Sequence, residues 1–267
     1  MAAERSLAAS AQPAARDRSD SSIEIREVRQ TFGDVVALER IDLSVPQHSR
    51  VGIVGPSGCG KSTLLSDIAG LLEPDSGTIS IGGATAPRDR LAHCALMPQK
   101  DLLLPWRTAL DNACLALENR GFKRSEARRR ARPFFERFGL AEFEERLPTQ
   151  LSGGMRQRVA FLRTLMAEKD VLLLDEPFAA LDSITRAGMQ EWLLDALEQE
   201  PRTVVLVTHD VDEALLLADR VVVLSARPGR IVRTLETDFP RDLPRREIVT
   251  SPAFVMLKER ALEALEQ

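Results

Sequence analysis

Short, uninterrupted runs of apolar residues recur along this chain. The runs at residues 51–54, 171–174 and 204–207 contain no polar side chain, as is typical of strands buried on both faces of a parallel sheet. After the first run, apolar residues return at helical spacing, at positions 64, 65, 68, 69 and 72. The pattern predicts an α/β chain in which buried strands alternate with helices.

The N-terminal third adds a second kind of pattern. Ile41, Leu43 and Val45 alternate with polar residues, and apolar residues 23, 25 and 28 precede them. Alternation with a period of two predicts half-buried strands, so we expect a small antiparallel layer before the buried core. Residues 1–22 are rich in Ala, Ser, Arg and Asp, and we expect them to form a disordered tail.

The middle and the end of the chain are more helical. Residues 108–147 are charge-rich with helical periodicity, which predicts a helical subdomain inserted at about residues 100–165. The main domain is expected to span residues 23–230. A strand and an amphipathic helix are expected in residues 231–267.

Charge, cysteine spacing and the length of the apolar runs limit the kinds of protein that this chain can be. The chain has 267 residues, a formal net charge of -4 and a pI of about 5.6, which argues against a nucleic-acid binder with a basic surface. Its three cysteines have no paired spacing, which indicates reduced thiols rather than disulfides or a zinc site. No apolar run reaches the ~20 residues of a membrane span, so a membrane role would have to come through a partner.

One stretch carries a specific chemical signal. Residues 55–63 match G-x-x-x-x-G-K-[ST], the loop that binds nucleotide phosphates, with a predicted strand before it and a helix after it. Backbone N–H groups and the helix dipole would face the anion, Lys61 would reach the β- and γ-phosphates, and Ser62 would ligate Mg²⁺. The predicted nucleotide-binding residues of the loop are Gly55, Pro56, Ser57, Gly58, Cys59, Gly60, Lys61, Ser62 and Thr63.

A pair of carboxylates follows another buried run. Asp175 and Glu176 end the strand at residues 171–174, and open α/β sheets bind ligands at this edge. Asp175 suits Mg²⁺, directly or through water, and Glu176 suits an attacking water. His209 follows the run at residues 204–207 and should lie at the same edge, where it could contact a γ-phosphate.

Other features leave alternatives open. Phe32 could stack on an adenine ring or cap the local core, and composition alone favours the core. The basic residues within 123–132 could form a nucleic-acid patch, but a solvated helix face is the simpler interpretation. Ser152, Gly153 and Gly154 precede a helix predicted at residues 156–167; they could admit an anion or could merely cap the helix.

Taken in order, these segments resemble the ATPase subunit of an ATP-binding-cassette (ABC) transporter over about residues 23–230. Residues 55–63 match the family's Walker A loop, Gln99 the Q-loop and residues 171–176 Walker B. Residues 151–155 are similar to the signature motif, with Met155 where Gln is usual. Asp182 matches the D-loop and His209 the switch histidine. The resemblance implies a P-loop NTPase (RecA-like) core with an antiparallel β layer and a helical subdomain.

The resemblance also implies how the motifs work. ATP would lie between the Walker A loop of one copy and the signature residues Ser152, Gly153 and Gly154 of a second copy or a paralogue, with Asp182 beside them. Phe32 would stack on adenine, which reverses the preference from composition. The resemblance implies that Ser62, Gln99 and Asp175 hold Mg²⁺. Catalysis would fall to Glu176, His209 and Gln99.

Two local motifs resemble the nitrate, sulfonate and taurine importer group, which also includes importers of thiamine pyrimidine precursors. They are residues 102–108, followed by Asp111 and Asn112, and residues 227–231. The resemblance implies separate permease subunits, an external solute-binding protein and a place on the cytoplasmic face of the membrane, with no nucleic acid. An exporter subunit remains an alternative. An ABC ATPase acting on nucleic acid is less favoured, because residues 61–151 lack sustained heptads.

Overall fold

Two β-sheets form the framework of the structure, a computed structural model that describes residues 21–240 and 243–266. The smaller sheet is antiparallel, with the order β2-β1-β4. Its strands are β1 (Ser21–Phe32), β2 (Val35–Pro46) and β4 (Ser76–Ile81). This is the predicted N-terminal layer. It begins at Ser21, two residues before the predicted boundary; residues 1–20 of the predicted tail lie outside the described residues.

The larger sheet has the strand order β5-β6-β7-β3-β8-β9. Its strands are β3 (Arg50–Val54), β5 (Cys94–Met97), β6 (Val171–Asp175), β7 (Thr203–Thr208), β8 (Arg220–Leu224) and β9 (Ile231–Glu236). All neighbours are parallel except the β8–β9 pair. Every residue of β3, β6 and β7 is buried, as the uninterrupted apolar runs predict. Because β7 lies between β6 and β3, the carboxyl ends of all three meet at one edge.

Nine α-helices surround the sheets within the described residues. They are α1 (Lys61–Ala69), α2 (Pro87–His93), α3 (Ala109–Asn119), α4 (Arg124–Arg137), α5 (Gly153–Leu165), α6 (Ser183–Gln199), α7 (Val211–Leu217), α8 (Arg245–Val249) and α9 (Pro252–Leu265). None of these helices is both long and apolar enough to cross a bilayer.

The helical subdomain consists of α3, α4 and α5, which lie between β5 and β6 in the chain. Leu110, Cys114 and Leu117 form the buried face of α3. Aromatic rings join the subdomain to α6, since the ring centroid of Phe138 lies 4.5 Å from that of Trp192. The subdomain therefore packs against a helix of the main domain.

Helix α5 begins at Gly153, three residues before the predicted start at residue 156. Its N-cap, Ser152, accepts a hydrogen bond from the Met155 N–H at 3.2 Å. The cap satisfies a first-turn N–H group, so the two glycines enter the helix rather than precede it.

The C-terminal segment completes the fold. Strand β9 adds to the edge of the large sheet, and α9 packs against α7 through the buried residues Phe254 and Ala261. The ring of Phe239 lies 5.5 Å from that of Phe254.

Candidate nucleotide-binding site

The phosphate-binding loop connects β3 to α1. Gly60 has φ 105, and a Cβ there would lie 2.7 Å from Leu38 Cδ2, so only glycine fits this position. The chain then enters α1 at Lys61, whose Nζ donates to the carbonyls of Gly55 at 2.7 Å and Pro56 at 2.9 Å. The loop thus curls around the end of its own lysine side chain.

Asp175 lies beneath this loop at the end of β6. It is buried, and its carboxylate accepts a hydrogen bond from the Ser62 hydroxyl. Burial raises the pKa of Asp175 above its usual value, and the bond from Ser62 opposes this only in part. Within the described residues, Asp175 Oδ1 has no hydrogen-bond partner. A buried, unpartnered carboxylate oxygen beside a serine hydroxyl fits Mg²⁺, which prefers oxygen ligands.

Three predicted catalytic side chains meet at the same edge. Glu176 Oε2 accepts from Gln99 Nε2 at 3.0 Å, and Glu176 Oε1 lies 3.3 Å from His209 Nδ1. Glu176 has a positive φ of 48, a conformation that usually costs a non-glycine residue ~1–3 kcal/mol and that clusters at functional sites. Its N–H donates to the Val207 carbonyl at 2.8 Å, which holds it at the junction of β6 and β7.

Much of the phosphate-binding loop and the three predicted catalytic side chains line one cavity of about 620 Å³, whereas the buried Asp175 is not on its wall. Of the predicted site residues, it brings together Phe32, Ser57, Gly58, Gly60, Lys61, Ser62, Thr63, Gln99, Glu176 and His209. Phe32 is 48% exposed, so it does not act as a plug in the local core. Its position at the mouth fits a base-stacking role.

Some predicted residues do not line the cavity. Gly55, Pro56 and Cys59 of the loop are not on the cavity wall, and Cys59 is only 1% exposed. Ser152, Gly153, Gly154 and Asp182 do not lie on the cavity wall. Within this chain, Asp182 caps α6 by accepting from the N–H groups of Ile184 and Thr185, much as Ser152 caps α5. Both caps are exposed.

The cavity also contains residues that the sequence analysis did not select as site residues, namely Val35, Ala37 and Arg227. Val35 and Ala37 follow Phe32 across the β1–β2 turn, so their position follows from its place. Arg227 follows β8, whose carboxyl end lies beside that of β3. A charged residue just past a parallel strand was the available signal.

The sequence matches the ABC transporter family over residues 38–179. The chain belongs to the ABC transporter family. This ABC ATPase is 43% identical over 229 residues to the taurine import ATP-binding protein TauB of Rhizobium johnstonii, covering 84% of this chain and 87% of the relative. It is 46% identical over 209 residues to the formylaminopyrimidine import ATP-binding protein ThiZ of Halalkalibacterium halodurans, covering 78% and 80%.

The fold of this ABC ATPase also matches a solved structure. A dimeric structure of the bacterial ABC transporter cassette MJ0796 has a TM-score of 0.75 and 30% identity, and the match covers 82% of this chain and all of the other. A second structure of that cassette, in a post-hydrolysis state bound to ADP and Pi, matches equally well. The predicted fold class and family resemblance are therefore confirmed.

Proposed function

We propose that this ABC ATPase is the ATP-binding subunit of an importer. It would hydrolyse MgATP to drive uptake of a small solute, of the nitrate, sulfonate, taurine or thiamine-precursor kind, through separate permease subunits. The observation that carries the proposal is the convergence of Lys61, Ser62 and Glu176 on one cavity. The names of the relatives TauB and ThiZ support import.

The chemistry follows from the geometry. Lys61 and the loop N–H groups would bind the phosphates. Ser62, Asp175 and Gln99 would hold Mg²⁺ through their side-chain oxygens, and the ion would neutralise phosphate charge. Glu176 orients a water and accepts its proton as the water oxygen attacks the γ-phosphorus and the bond to ADP breaks. Gln99 donates to one oxygen of Glu176, and the His209 ring lies 3.3 Å from the other, so both side chains would orient the carboxylate.

A second copy of the chain, or a paralogue, completes the site. The N-terminus of α5 at Ser152 is exposed and lies outside the cavity. Its N–H groups and helix dipole would favour the phosphates bound by a partner. In a head-to-tail dimer each copy places Ser152, Gly153 and Gly154 against the nucleotide of the other, with Asp182 nearby. The dimeric state of the MJ0796 cassette supports this arrangement.

The permease would dock on the loop after Gln99. Leu102 is 60% exposed and Trp106 is 73% exposed, yet the backbone between them is held by side chains. Arg163 donates to the carbonyls of Asp101 and Leu102 at 2.7 and 2.8 Å. Apolar side chains on an anchored loop suit an apolar partner. This contact would place the chain on the cytoplasmic face of the membrane as a peripheral subunit, with the solute-binding protein on the far side.

The catalytic part of the proposal is tested with Glu176→Gln. This variant should bind ATP within about threefold of the wild type, while hydrolysis falls by about 10²–10⁴-fold because the general base is lost. With ATP it should elute as a dimer. Glu198→Gln, on the exposed face of α6, is the matched control and should hydrolyse normally. Hydrolysis at the wild-type rate in Glu176→Gln would assign the water-positioning role to another residue.

The transport part needs the membrane partner. A tagged chain purified from detergent-solubilised membranes should carry a permease with it, identified by mass spectrometry. In proteoliposomes the complex should move solute in the direction of uptake when ATP is on the side of this subunit. Transport in the opposite direction would favour the exporter alternative, and co-purification with nucleic acid alone would overturn the transporter assignment.

A further inference from the structure

The turn between β8 and β9 forms part of the wall of the nucleotide cavity. Ser225 closes it, because its N–H donates to the Arg230 carbonyl at 2.9 Å and its hydroxyl accepts from the Arg230 N–H at 3.0 Å. We define the β8–β9 turn as residues 225–230. Residues 227–230 of this turn belong to the second motif that resembles the importer group.

Gly229 fixes this turn against two other elements. Its N–H donates to the Ala37 carbonyl at 2.9 Å, and its carbonyl accepts from the Glu39 N–H at 3.0 Å. A Cβ on Gly229 would lie 2.2 Å from the Cys59 carbonyl oxygen, a distance that no side chain can occupy. The β8–β9 turn therefore packs directly on both β2 and the phosphate-binding loop.

Arg227 extends from the turn across the loop. Its Nε and Nη2 both donate to the Gly58 carbonyl, at 3.1 and 3.0 Å. The side chain lines the same cavity as Lys61 and Phe32. The guanidinium thus holds the tip of the phosphate-binding loop and reaches the space that the nucleotide would occupy.

The charge of Arg227 is not neutralised by the protein. Among the described residues it has no ion pair, and its Nη1 makes no hydrogen bond. Arg230 in the same turn differs, because it pairs with Glu39. A guanidinium carries five N–H donors in a fork that matches phosphate oxygens. An unpaired guanidinium that lines the predicted nucleotide cavity can donate hydrogen bonds to the phosphates of the nucleotide.

We propose that Arg227 is a nucleotide-affinity residue of this ATPase, which fixes the phosphate-binding loop through Gly58 and offers its unpaired charge to the bound nucleotide. The inference rests on the proposed nucleotide site. It adds Arg227 to Lys61 as a second cation at the cavity, whereas Arg230 of the same turn does not line the cavity. Arg227 does not contact Glu176, Gln99 or His209 in hydrogen bonds or ion pairs within the described residues, so its effect falls on binding rather than on the hydrolytic step.

The test compares Arg227→Gln, Arg227→Lys and Arg230→Gln in the full-length chain. Arg227→Gln should raise the ATP dissociation constant, and the KM for ATP, by about tenfold, since a charge-assisted hydrogen bond is lost. Its kcat at saturating ATP should stay within about twofold of the wild type. Arg227→Lys keeps the charge and should recover most of the affinity. Arg230→Gln, whose native partner is Glu39, should bind ATP like the wild type.

A measurement on the unmutated chain guards against misfolding of the variants. Phenylglyoxal modifies exposed arginines, and ATP should slow modification of Arg227 several-fold while Arg230 reacts as before, as mapped by mass spectrometry. Equal rates at Arg227 with and without ATP, or equal losses of affinity in Arg227→Gln and Arg230→Gln, would overturn the inference. Lys61→Ala tests the proposed nucleotide site separately from the role of Arg227. If Lys61→Ala binds ATP normally, the nucleotide site itself is wrong.

Discussion

At the scale of single residues, the site depends on side chains whose environment the fold creates. Asp175 and Glu176 are neighbours in sequence, yet one is buried beneath Ser62 and the other faces Gln99 and His209. The different surroundings agree with the proposal that Asp175 binds the metal ion and Glu176 positions the water. Adjacent carboxylates at a strand end predict a site, and the structure adds the different surroundings of the two side chains.

A buried carboxyl, that of Glu213, contacts Thr208 at the strand end that precedes His209. Glu213 on α7 is 4% exposed, and burial raises its pKa from 4.5 to about 7, although hydrogen bonds from Thr208 and Gln190 act in the opposite direction. The Gln190 amide donates to Glu213 Oε2 at 3.0 Å. Thr208 ends β7, immediately before His209, so Glu213 supports the strand end that carries the histidine.

The raised pKa predicts a pH-dependent stability. Between about pH 4.5 and 7 the folded chain holds a proton on Glu213 that the unfolded chain has released, so the free energy of unfolding falls as pH rises through this range. Glu213→Gln has no carboxyl to titrate. The free energy of unfolding of the variant minus that of the wild type should therefore be larger at pH 8 than at pH 5.5, by on the order of 1–3 kcal/mol. Thermal unfolding at the two pH values measures it. If the variant and the wild type differ in stability by the same amount at both pH values, the prediction is wrong.

At the scale of elements, most arginines of the basic helix α4 form ion pairs within the protein. Five of its arginines form ion pairs with acidic residues of the same subdomain or the adjoining loops, namely Arg124, Arg128, Arg129, Arg130 and Arg132. Asp111 on α3 is 2% exposed and accepts from both Arg124 and Arg128. The run of basic residues is thus largely tied to its own domain, which agrees with the simpler interpretation of a helix face.

The Asp111 cluster should matter for stability. Burial acts to raise the pKa of Asp111, but hydrogen bonds from Arg124 and Arg128 outweigh it and lower the pKa from 3.8 to about 2. Its contribution is therefore present above about pH 4 and is lost as pH falls through about 2. Asp111→Asn should lower the free energy of unfolding at pH 7 by ~2 kcal/mol, less than for a fully buried pair because Arg124 can turn to solvent.

The matched control for this prediction is Glu126→Gln. Glu126 pairs with Arg129 and Arg130 on the exposed face of α4, and exposed pairs contribute ~0–1 kcal/mol. Urea unfolding at pH 7 compares the two variants. Equal effects would mean that the buried cluster adds nothing beyond an ordinary surface pair.

The loop after Gln99 gives a second prediction at this scale. Trp106→Ala should reduce ATP-driven transport by about tenfold or more, as expected when a buried interface anchor is removed, while ATP binding stays unchanged. Leu91→Ala is the control, because Leu91 is also exposed, on α2, away from this loop. Transport assays and ATP titrations on the same preparations measure both. Equal loss of ATP binding and transport would show that Trp106 acts on the nucleotide site rather than on the permease.

Much of the element order was predictable, because buried parallel strands and amphipathic helices have distinct periods. The start of α5 was not, since Ser152, Gly153 and Gly154 suit either a loop or a capped helix until the cap is seen. Arg227 was also missed as a site residue. It reaches the cavity only because Gly229 lets the turn approach Cys59 closely, and no local pattern reports a contact between residues 169 positions apart.

At the scale of the whole molecule, the predicted site residues of one chain lie in two separate places. The cavity holds Lys61, Glu176 and their neighbours, whereas Ser152 and Asp182 are on exposed helix starts outside it. Ile184, two residues after Asp182, is 84% exposed, which is unusual for a large apolar side chain. These features agree with a surface that a second copy covers.

Gly153→Asp tests this arrangement. A Cβ at Gly153 has open space, its nearest neighbour being an Arg156 side-chain nitrogen at 3.9 Å, so the fold should tolerate the change. The added negative charge would repel the partner's phosphates. In a Glu176→Gln background, the ATP-dependent dimer should weaken by at least about tenfold, since like charges brought together at an interface cost several kcal/mol. ATP binding to the monomer should be unaffected.

The control is Gly188→Asp in the same background, because Gly188 is an exposed helical glycine with no neighbour within 4 Å. Light scattering behind size exclusion measures the dimer with ATP and with ADP. If both variants dimerise equally well, the start of α5 does not meet the partner's nucleotide.

The thiols of this chain open a practical route to observing the partner copy. All three cysteines, Cys59, Cys94 and Cys114, are buried, and burial raises the thiol pKa of Cys94 to about 11 and that of Cys114 to about 12. Maleimide reagents attack exposed thiolates, so a cysteine engineered at Ile184 could carry a spin label with little background from the native thiols. Pulsed electron resonance would then follow the separation of the two labels through the catalytic cycle.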